Sequence, residues 1–412
     1  MHNLKMLPAR RGRGTQPKVN HPLQLPLYLV ASLLAAGPVC AQTLTPTQIL
    51  QQFNAVIFGN TSTSADIDGR AVIGGNLTGA QTVYANPGSE AASSFAALSV
   101  YGASNSGGSI NVDNGGGVTV AGLNNATLQL NGGSSVFIGG ANSGNITVDG
   151  GAATIGINAN NTATVIANGG GTIKVNGTSG TISGNSPSTT TVDLPNSADQ
   201  TGNINNATVK YGTVSLSNSL PSFATTIKTP LTTLSTQLES QAANSTTRTA
   251  NGTVTFNATP NKSGQAVFDI SSSVLTAGNE TVAFDANGAT TIIVNVTCGG
   301  ANCAITLPTS VNFLNPTTDA SEILWNFYNA ATLNFGSEFG GTVLAPDATV
   351  GNSNPIDGDL IAAVFSGSGE LHNYGFIGNL AFVVPEPAGI ALLAVGLAGL
   401  IAVRRRTLKT GA

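Results

Sequence analysis

A triplet of Asn or Asp followed by two glycines recurs at nearly constant spacing in the middle of the chain. It begins at Asn114, Asn131, Asp149 and Asn168, with spacings of 17, 18 and 19 residues. Asn and Gly tolerate the positive φ angles of tight corners, so each triplet predicts a turn. A period near 18 residues is typical of a β-solenoid, in which each coil is one repeat.

Short alternating apolar pairs lie between these corners. The pairs are Val118/Val120, Leu128/Leu130, Val136/Ile138, Ile146/Val148, Ile155/Ile157 and Ile173/Val175. Alternation places both members of a pair on one face of a strand, and stacked coils bury that face jointly. We predict a mainly β fold, a parallel β-helix with repeats over about residues 109–184, in which equivalent Asn or Thr side chains form hydrogen-bonded ladders. An antiparallel β-sandwich is the alternative, because it uses the same strand and turn residues.

One segment has a helical period instead. Its apolar residues are Leu220, Phe223, Ile227, Leu231, Leu234 and Leu238. This stripe predicts an accessory α-helix over about residues 221–242, kinked at Pro230. Because a single stripe needs a single surface, we expect the helix to pack along the side or end of the solenoid. A helix that binds a partner is the less favoured alternative.

Charge is scarce and unevenly distributed. Only 8% of residues are charged, and nine of the fifteen basic residues flank the two terminal apolar runs. Between those runs, six basic residues face eighteen acidic ones, a net charge of −12. This acidity argues against binding to nucleic acid or to an anionic membrane surface.

The N-terminus has the pattern of an export signal. Basic residues precede the apolar run Leu25–Gly37, which is too short to span a bilayer comfortably. Small side chains before Gln42 predict cleavage between Ala41 and Gln42, so residues 1–41 form the signal peptide. A lipoprotein signal at Cys40 is less favoured, because Val39 directly precedes it.

Two cysteines remain after the signal is removed, Cys298 and Cys303. The β-rich runs TIIVNV and AITLP flank the Gly-Gly between them, which predicts a hairpin with a disulfide across its neck. Zinc would need two more ligands, and the exported chain has one histidine, His372. We therefore predict no metal and no cofactor.

Two pairs of carboxylates could in principle bind calcium, Asp66 with Asp68 and Asp357 with Asp359. Their spacing of two residues can place both carboxylates on one side of an extended segment. Neither pair lies in a loop of the EF-hand type. Structural carboxylates in turns are therefore the favoured interpretation.

Candidate catalytic residues are few. His372 with Glu370 two residues before it could form an acid and base pair in a polysaccharide-modifying enzyme on a β-helix. A hydrogen-bonded structural histidine is the favoured interpretation, and no Gly-x-Ser-x-Gly motif is present. We predict no catalytic residues and no enzymatic activity.

Ice binding is an alternative of a different class. It would need threonines two residues apart on one face of successive coils. Thr162/Thr164 and Thr253/Thr255 have that spacing, but we expect neither pair to be in register with the repeat. No platform of aromatic side chains for sugar binding is visible either.

The C-terminus carries an apolar segment, Ala388–Val403, followed by Arg404, Arg405 and Arg406. Sixteen residues make a helix of about 24 Å, against a hydrocarbon core of about 30 Å, so this short transmembrane helix is a marginal permanent span. The arginines would stay in the cytoplasm by the positive-inside rule. Val384, Pro385, Glu386 and Pro387 form a stiff extended peptide just before the span.

This tail, residues 385–412 with Val384 before them, resembles the PEP-CTERM sorting signal of Gram-negative bacteria that make exopolysaccharide. The motif, the span and the basic end occur in the order of that family. The resemblance implies that an exosortase recognises Val384–Pro387 and processes a precursor that is inserted only transiently in the membrane. The protein would then reach the cell surface or the extracellular matrix.

The body of the chain, residues 42–384, is similar to the choice-of-anchor A domain of bacterial surface proteins. The similar stretches are Phe53–Gly79, Leu324–Phe335, GTVLAPDATVG and DGDLIAAV. The resemblance implies one domain that acts as an adhesin and carries no catalytic residue. We therefore predict a secreted, exosortase-sorted adhesin that binds exopolysaccharide or another surface polymer in a biofilm. A polysaccharide-modifying enzyme and an ice-binding protein are the alternatives.

Overall fold

The computed structural model describes residues 44–88, 90–106, 108–216, 219–300 and 302–380. The predicted signal peptide, with its cleavage site at Ala41 and Gln42, lies outside the described residues. So do the sorting motif, the C-terminal span and its arginines. Within the described ranges no helix is long and apolar enough to cross a membrane.

The described chain begins with helix α1, Pro46–Gln52, and then forms short strands. Thr45 caps α1, because its hydroxyl accepts from the Gln48 amide while the Gln48 side chain accepts from the Thr45 amide. The strands that follow are β1 (Ala55–Ile57), β2 (Thr61–Thr63), β3 (Ala71–Ile73), β4 (Leu77–Gly79), β5 (Thr82–Val83), β6 (Leu98–Val100), β7 (Ser104–Ser106), β8 (Ser109–Val112), β9 (Val118–Val120), β10 (Thr127–Leu130), β11 (Ser135–Ile138), β12 (Ile146–Val148), β13 (Ala153–Ile157), β14 (Thr164–Ala167), β15 (Gly171–Val175), β16 (Thr181–Gly184), β17 (Thr190–Leu194), β18 (Ile204–Asn205) and β19 (Thr208–Tyr211).

A helical segment then separates these strands from a second series. It consists of a π-helix, Ala224–Lys228, continued by the α-helix α2, Thr229–Glu239. The second series is β20 (Thr246–Ala250), β21 (Thr253–Asn257), β22 (Gln265–Ser271), β23 (Thr281–Asp285), β24 (Thr291–Thr297), β25 (Cys303–Leu307), β26 (Asn312–Phe313), β27 (Ile323–Asn326), β28 (Ala330–Phe335), β29 (Phe339–Gly340), β30 (Thr342–Asn352), β31 (Ile356–Asp357), β32 (Leu360–Gly367) and β33 (Leu371–His372). A short helix, α3, covers Ser273–Thr276, and two 3₁₀ turns cover Ser197–Asp199 and Ala320–Glu322.

The strands form a parallel β-solenoid with three faces. The helix-side sheet contains, in spatial order, β22, β24, β27, β30, β32, β1, β3, β6, β9, β11, β13, β15, β17 and β19. The seven-stranded sheet contains β5, β8, β10, β12, β14, β16 and β18. The third face is narrower and includes β2, β4 and β7. The predicted parallel β-helix is confirmed, and the sandwich alternative is not what the chain forms.

The stacking order of the coils differs from their order in the chain. Strand β1 pairs with β3 on one side and with β32, near the end of the described chain, on the other. The described strands therefore begin with β1 in the middle of the stack and wind outward to β19. The segment that contains α2 connects this end to the opposite one, where β20 to β22 begin a second series of coils. That series winds inward until β32 meets β1.

The interior is filled by the alternating apolar residues. Every member of the six pairs between Val118 and Val175 is almost fully buried, as the alternation predicted. The corners also form as predicted, with positive φ at Asn114, Gly132, Gly150 and Gly170. The second series of coils has an aromatic interior centred on Trp325, whose indole donates to the Gly340 carbonyl at 2.9 Å.

A ladder of buried asparagines lines one corner of the solenoid. Asn124 donates from Nδ2 to Oδ1 of Asn142 at 2.7 Å, and Asn142 donates in the same way to Asn161 at 2.6 Å. Asn161 continues the ladder to the Ser179 carbonyl. Each amide also donates to a carbonyl two residues ahead. The predicted ladder of equivalent Asn side chains is thus confirmed, and it satisfies polar groups that have no access to water.

The accessory helix packs along the side of the solenoid, as expected. Ile227, Leu231, Leu234 and Leu238 are fully buried. They pack on the outward side of the helix-side sheet, at Val56, Val72, Val267, Ile293, Leu324, Leu344 and Ile361. The helix, residues 224–239, is shorter than predicted. Pro230 lies in the first turn of α2, directly after the π-helix, so the irregularity falls where the kink was expected.

The expected hairpin around the two cysteines is wrong. Strand β24 pairs in parallel with β22 and β27, and β25 pairs in parallel with β28. The Gly-Gly segment between β24 and β25 therefore turns a corner of the solenoid. A local Gly-Gly turn between two β-rich runs fits both arrangements, and the neighbouring coils decide between them. A hairpin does occur nearby, since β20 and β21 are antiparallel.

Candidate functional site: flat polar faces and a groove at the seam

The outward side of the seven-stranded sheet carries two in-register columns of uncharged side chains. One column is Ser109, Thr127, Asn145, Thr164, Thr181 and Asn203. The other is Asn111, Gln129, Thr147, Ile166, Ser183 and Asn205. All twelve are half-buried or exposed. Parallel strands lie about 4.8 Å apart and side chains two residues apart are separated by about 6.6 Å, so the face is a regular array of hydrogen-bonding groups.

A second array lies on the exposed part of the helix-side sheet. Ser135, Thr154, Thr172, Thr191 and Thr208 form one continuous register column. The adjacent column is mixed, because Lys174, Asp193 and Lys210 follow one another along it. The segment after β19 also lies on this sheet, since Lys174 Nζ donates to the Ser215 carbonyl at 3.2 Å.

The expectation that no threonine pair is in register with the repeat is wrong for Thr164. Thr164 is the register partner of Thr181 and belongs to the uncharged face described above. Thr162 is exposed, and its hydroxyl donates to the Asn142 carbonyl at 3.4 Å. Thr253 lies opposite Thr281 in a different sheet, and Thr255 lies opposite Ala283. The sequence spacing alone did not reveal the column, because its members are 17 to 22 residues apart and vary between Thr, Asn and Ser.

His372, the one histidine among the residues that the structure describes, joins an acidic cluster at the seam between the last coil and the first. His372 Nδ1 lies 2.6 Å from Asp357 Oδ1, and Nε2 lies 3.0 Å from Glu370 Oε2. Burial alone would lower the pKa of His372, but the hydrogen bonds to these two carboxylates outweigh it and raise that pKa. Burial also raises the pKa of Glu338, and its proximity to Asp357 adds to the effect. The structure thus brings His372 and Glu370 together and gives both ring nitrogens of the histidine a carboxylate partner.

The four aspartates of the two candidate calcium pairs make hydrogen bonds to different parts of the chain. Asp66 accepts from the Thr82 amide at 3.0 Å, and Asp68 accepts from the Asn373 amide at 3.4 Å. Asp357 and Asp359 are both buried; Asp357 is hydrogen-bonded to His372, whereas Asp359 accepts from the Phe376 amide. Among the residues that the structure describes, no group of three or more ligand-type side chains could hold a metal ion.

The cysteines are close enough to be linked. The Cα atoms of Cys298 and Cys303 lie 6.2 Å apart, within the range that a disulfide spans. The bond stays a prediction for the exported protein. Beside the two cysteines, the Cys298 amide donates to Asn329 Oδ1 at 3.4 Å.

A groove that the sequence did not reveal lies beside the seam. Its volume is about 370 Å³. Its walls come from distant parts of the chain: the end of α1, the segment at Glu90 and Ala91, Ser321, Asp359, and the segment 373–377. Only the stacking order of the coils brings these parts together, which is why no local motif predicts the groove.

The fold and its surfaces define a class, a parallel β-solenoid with flat, weakly charged faces and a helix along one side. The model of the family described as "Putative Ice-binding-like adhesive domain" matches residues 46–136 and 127–373. The chain therefore belongs to this family, an adhesive domain family, and no enzyme family matches. The PEP-CTERM protein-sorting motif matches residues 383–406, which implies processing by an exosortase and a cell-surface protein of a Gram-negative bacterium. No curated protein and no solved structure matches the chain.

Proposed function

We propose that the protein is a surface or matrix adhesin that binds the producing cell's own exopolysaccharide through the outward face of the seven-stranded sheet. The observation that carries the proposal is the pair of in-register columns, in which eleven of the twelve positions are Ser, Thr, Asn or Gln, the twelfth is Ile166, and none is charged. The family and the sorting motif support this assignment. The similarity to choice-of-anchor A domains supports it as well.

The chemistry of this face suits a polymer with repeating hydroxyl groups. Each hydroxyl or amide side chain can donate and accept, so the array can bind hydroxyls in either role. Individual hydrogen bonds to a wet surface contribute little, and many weak contacts repeated along one chain give a useful affinity.

Co-sedimentation with the producing strain's exopolysaccharide tests the proposal, with polymer chain length followed in the same tubes. We expect saturable binding and unchanged polymer length. The double variant Thr164→Lys/Thr181→Lys places two bulky charges in one column and should weaken binding at least about tenfold. Shortened polymer, or binding by the variant equal to that of the unchanged protein, would overturn the proposal.

The matched control is Thr172→Lys/Thr191→Lys, the same substitutions at two neighbouring positions on the helix-side sheet. It changes the net charge equally and leaves the seven-stranded sheet intact. We expect it to bind polymer as the unchanged protein does. Equal losses in both variants would show that net charge, and not the face, governs binding.

Ice binding is a second candidate, because Thr154, Thr172, Thr191 and Thr208 form an uninterrupted register column. A regular, flat array of threonines could order water in a lattice. Thermal hysteresis of the purified protein tests this function. We would expect hysteresis to disappear in the Thr172→Lys/Thr191→Lys variant, which the polymer assay uses as its control.

A further inference from the structure

The groove beside the seam has the dimensions of a small-molecule site. Its volume, about 370 Å³, falls within the range of about 300–1,000 Å³ that is usual for such sites. Leu50 and Phe53 line it from the end of α1, and Phe376 and Ile377 line it from the chain's last described segment. The groove is thus a concave site lined about equally by polar and apolar groups.

One buried carboxyl oxygen in this groove has no partner. Asp359 is 1% exposed, and its Oδ2 accepts from the Phe376 amide at 2.9 Å and from the Thr342 hydroxyl at 3.1 Å. Its Oδ1 is buried and makes no hydrogen bond within the protein. A buried polar atom without a partner is unfavourable by about 1–3 kcal/mol, so a ligand that supplies a hydrogen bond to Oδ1 would relieve this cost.

The second carboxylate of the groove is already neutralised. Glu90 Oε2 accepts from Arg70 Nη1 at 2.8 Å, and Oε1 accepts from the Arg70 amide at 2.7 Å. The side chains of this pair are only 13% and 4% exposed. Because Glu90 is already paired with Arg70, the polar part of the groove lining does not select strongly for a cation. A neutral hydroxyl, which can donate or accept, fits it better than an ammonium group does.

The rim supplies an apolar surface. Tyr374 is 37% exposed and Ile377 is 66% exposed, both large hydrophobic side chains that line the groove. An exposed aromatic ring next to buried polar acceptors suits a ligand that is apolar on one face and carries hydroxyls at its edge. Pyranose rings have this character.

We propose that this groove binds a single saccharide unit, with a ring hydroxyl bonded to Asp359 Oδ1 and the apolar face of the sugar against Tyr374. The site deepens the proposed adhesin function and rests on it. It would hold one unit of the polymer, or its end, while the seven-stranded sheet binds the repeating part. Both surfaces belong to one continuous stack of paired coils, so the two contacts would add to the avidity for a long polymer chain.

Titration of the intact protein with methyl glycosides of glucose, galactose, mannose and N-acetylglucosamine tests the site, each up to about 50 mM, a range suited to millimolar affinities. Ligand-observed NMR reports the binding. We expect at least one glycoside to bind saturably. Tyr374→Ala should weaken it at least about fivefold through loss of the ring contact, Tyr374→Phe should retain it, and Asp359→Asn should weaken it.

Tyr211→Ala is the matched control, because Tyr211 is also exposed but lies on β19, far from the groove. It should leave glycoside binding unchanged. Absence of saturable binding by all four glycosides would overturn the proposal. Equal losses in Tyr374→Ala and Tyr211→Ala would overturn it too.

Failure of this site and failure of the proposed function give different results. Glycoside binding does not involve the seven-stranded sheet, so Thr164→Lys/Thr181→Lys should retain it in full. A protein that sediments with polymer but ignores every glycoside would contradict the groove alone. A protein that binds a glycoside through Tyr374 but does not sediment with polymer would contradict the adhesin assignment alone.

Discussion

Val56 and Ile361 are register partners in adjacent parallel strands, although one lies in the first strand of the domain and the other in its last long strand. Val72 is the partner of Val56 on the opposite side. The first coil is therefore enclosed between the second coil and the last. This seam joins two series of coils that the chain builds separately, and α2 packs across it.

Shortening the side chain at the seam should destabilise the whole domain. Ile361 is fully buried between the sheet and the helix, so Ile361→Ala should lower the free energy of unfolding by about 2–4 kcal/mol. Urea denaturation measures the change. Ser366→Ala, at an exposed position of the same strand, should change stability by less than about 0.5 kcal/mol. A loss at Ile361 no larger than that of the control would contradict the central role of the seam.

The stability that the asparagine ladder contributes should depend on its middle member, Asn142. Asn142 accepts from Asn124 and donates to Asn161 and to the Gly144 carbonyl. Asn142→Ala leaves buried polar groups on both sides without partners, and we expect a loss of about 2–4 kcal/mol, measured by urea denaturation. The exposed neighbour Asn125 provides the control, since Asn125→Ala breaks hydrogen bonds that water can replace. Similar losses at both positions would argue against the ladder.

Stability should fall as the pH rises from about 5 to 8. Burial raises the pKa of Glu90 to about 7, despite its hydrogen bonds from Arg70, and the two carboxylates raise the pKa of His372. Both groups bind protons more tightly in the folded state. Stability is therefore greatest below their unfolded-state values and declines as the pH passes through the folded-state values. For Glu90 the full difference is on the order of 3 kcal/mol.

Urea denaturation at a series of pH values checks this dependence. Glu90→Gln should make the profile flatter, because the neutral amide cannot titrate. Glu239→Gln removes an exposed carboxylate from the end of α2 and should leave the profile unchanged. Greater stability of the unchanged protein at pH 8 than at pH 5 would show that the pair with Arg70 keeps Glu90 ionised throughout.

The exported protein should contain a disulfide between Cys298 and Cys303. So short a loop should contribute only about 2 kcal/mol, so reduction should lower stability modestly without unfolding the domain. Mass spectrometry after alkylation, with and without prior reduction, counts the free thiols. Two alkylated thiols in unreduced protein taken from the periplasm would contradict the bond.

Processing of the tail should require the motif and the basic end. Changing Pro385 and Glu386 to Ala should prevent recognition by an exosortase, and a full-length precursor should accumulate in the membrane fraction. Replacing Arg404, Arg405 and Arg406 with Ser should act similarly, because these residues fix the orientation of the span. Immunoblots of cell fractions measure both effects, with Lys409→Ser as the control. Release of the processed protein from cells without an exosortase would refute the assignment.

Much of the architecture follows from local patterns. The recurring corners and the alternating apolar pairs predicted the parallel β-helix, its buried face and the ladder of equivalent asparagines. The three- and four-residue spacing predicted the helix and its packing on the solenoid. These features depend on residues close in sequence, or on a repeat that places equivalent residues one coil apart.

Other features depend on which coils become neighbours. The Gly-Gly segment between Cys298 and Cys303 suggested a hairpin, but the strands around it pair with other coils. Thr164 and Thr181 proved to be partners although no constant spacing relates the threonines of the face. In each case the local sequence is compatible with two pairings, and the buried area of the assembled stack selects one.

Periodicity and local turn chemistry encode the strand faces, the corners and the amphipathic helix, and the sorting motif is one short continuous segment. No local pattern shows that the last coil meets the first, or that Phe53, Glu90, Asp359 and Tyr374 line one groove. The physical reason is that these contacts join segments distant in the chain. Their positions depend on the stacking order of coils, which is set by the burial of the whole core.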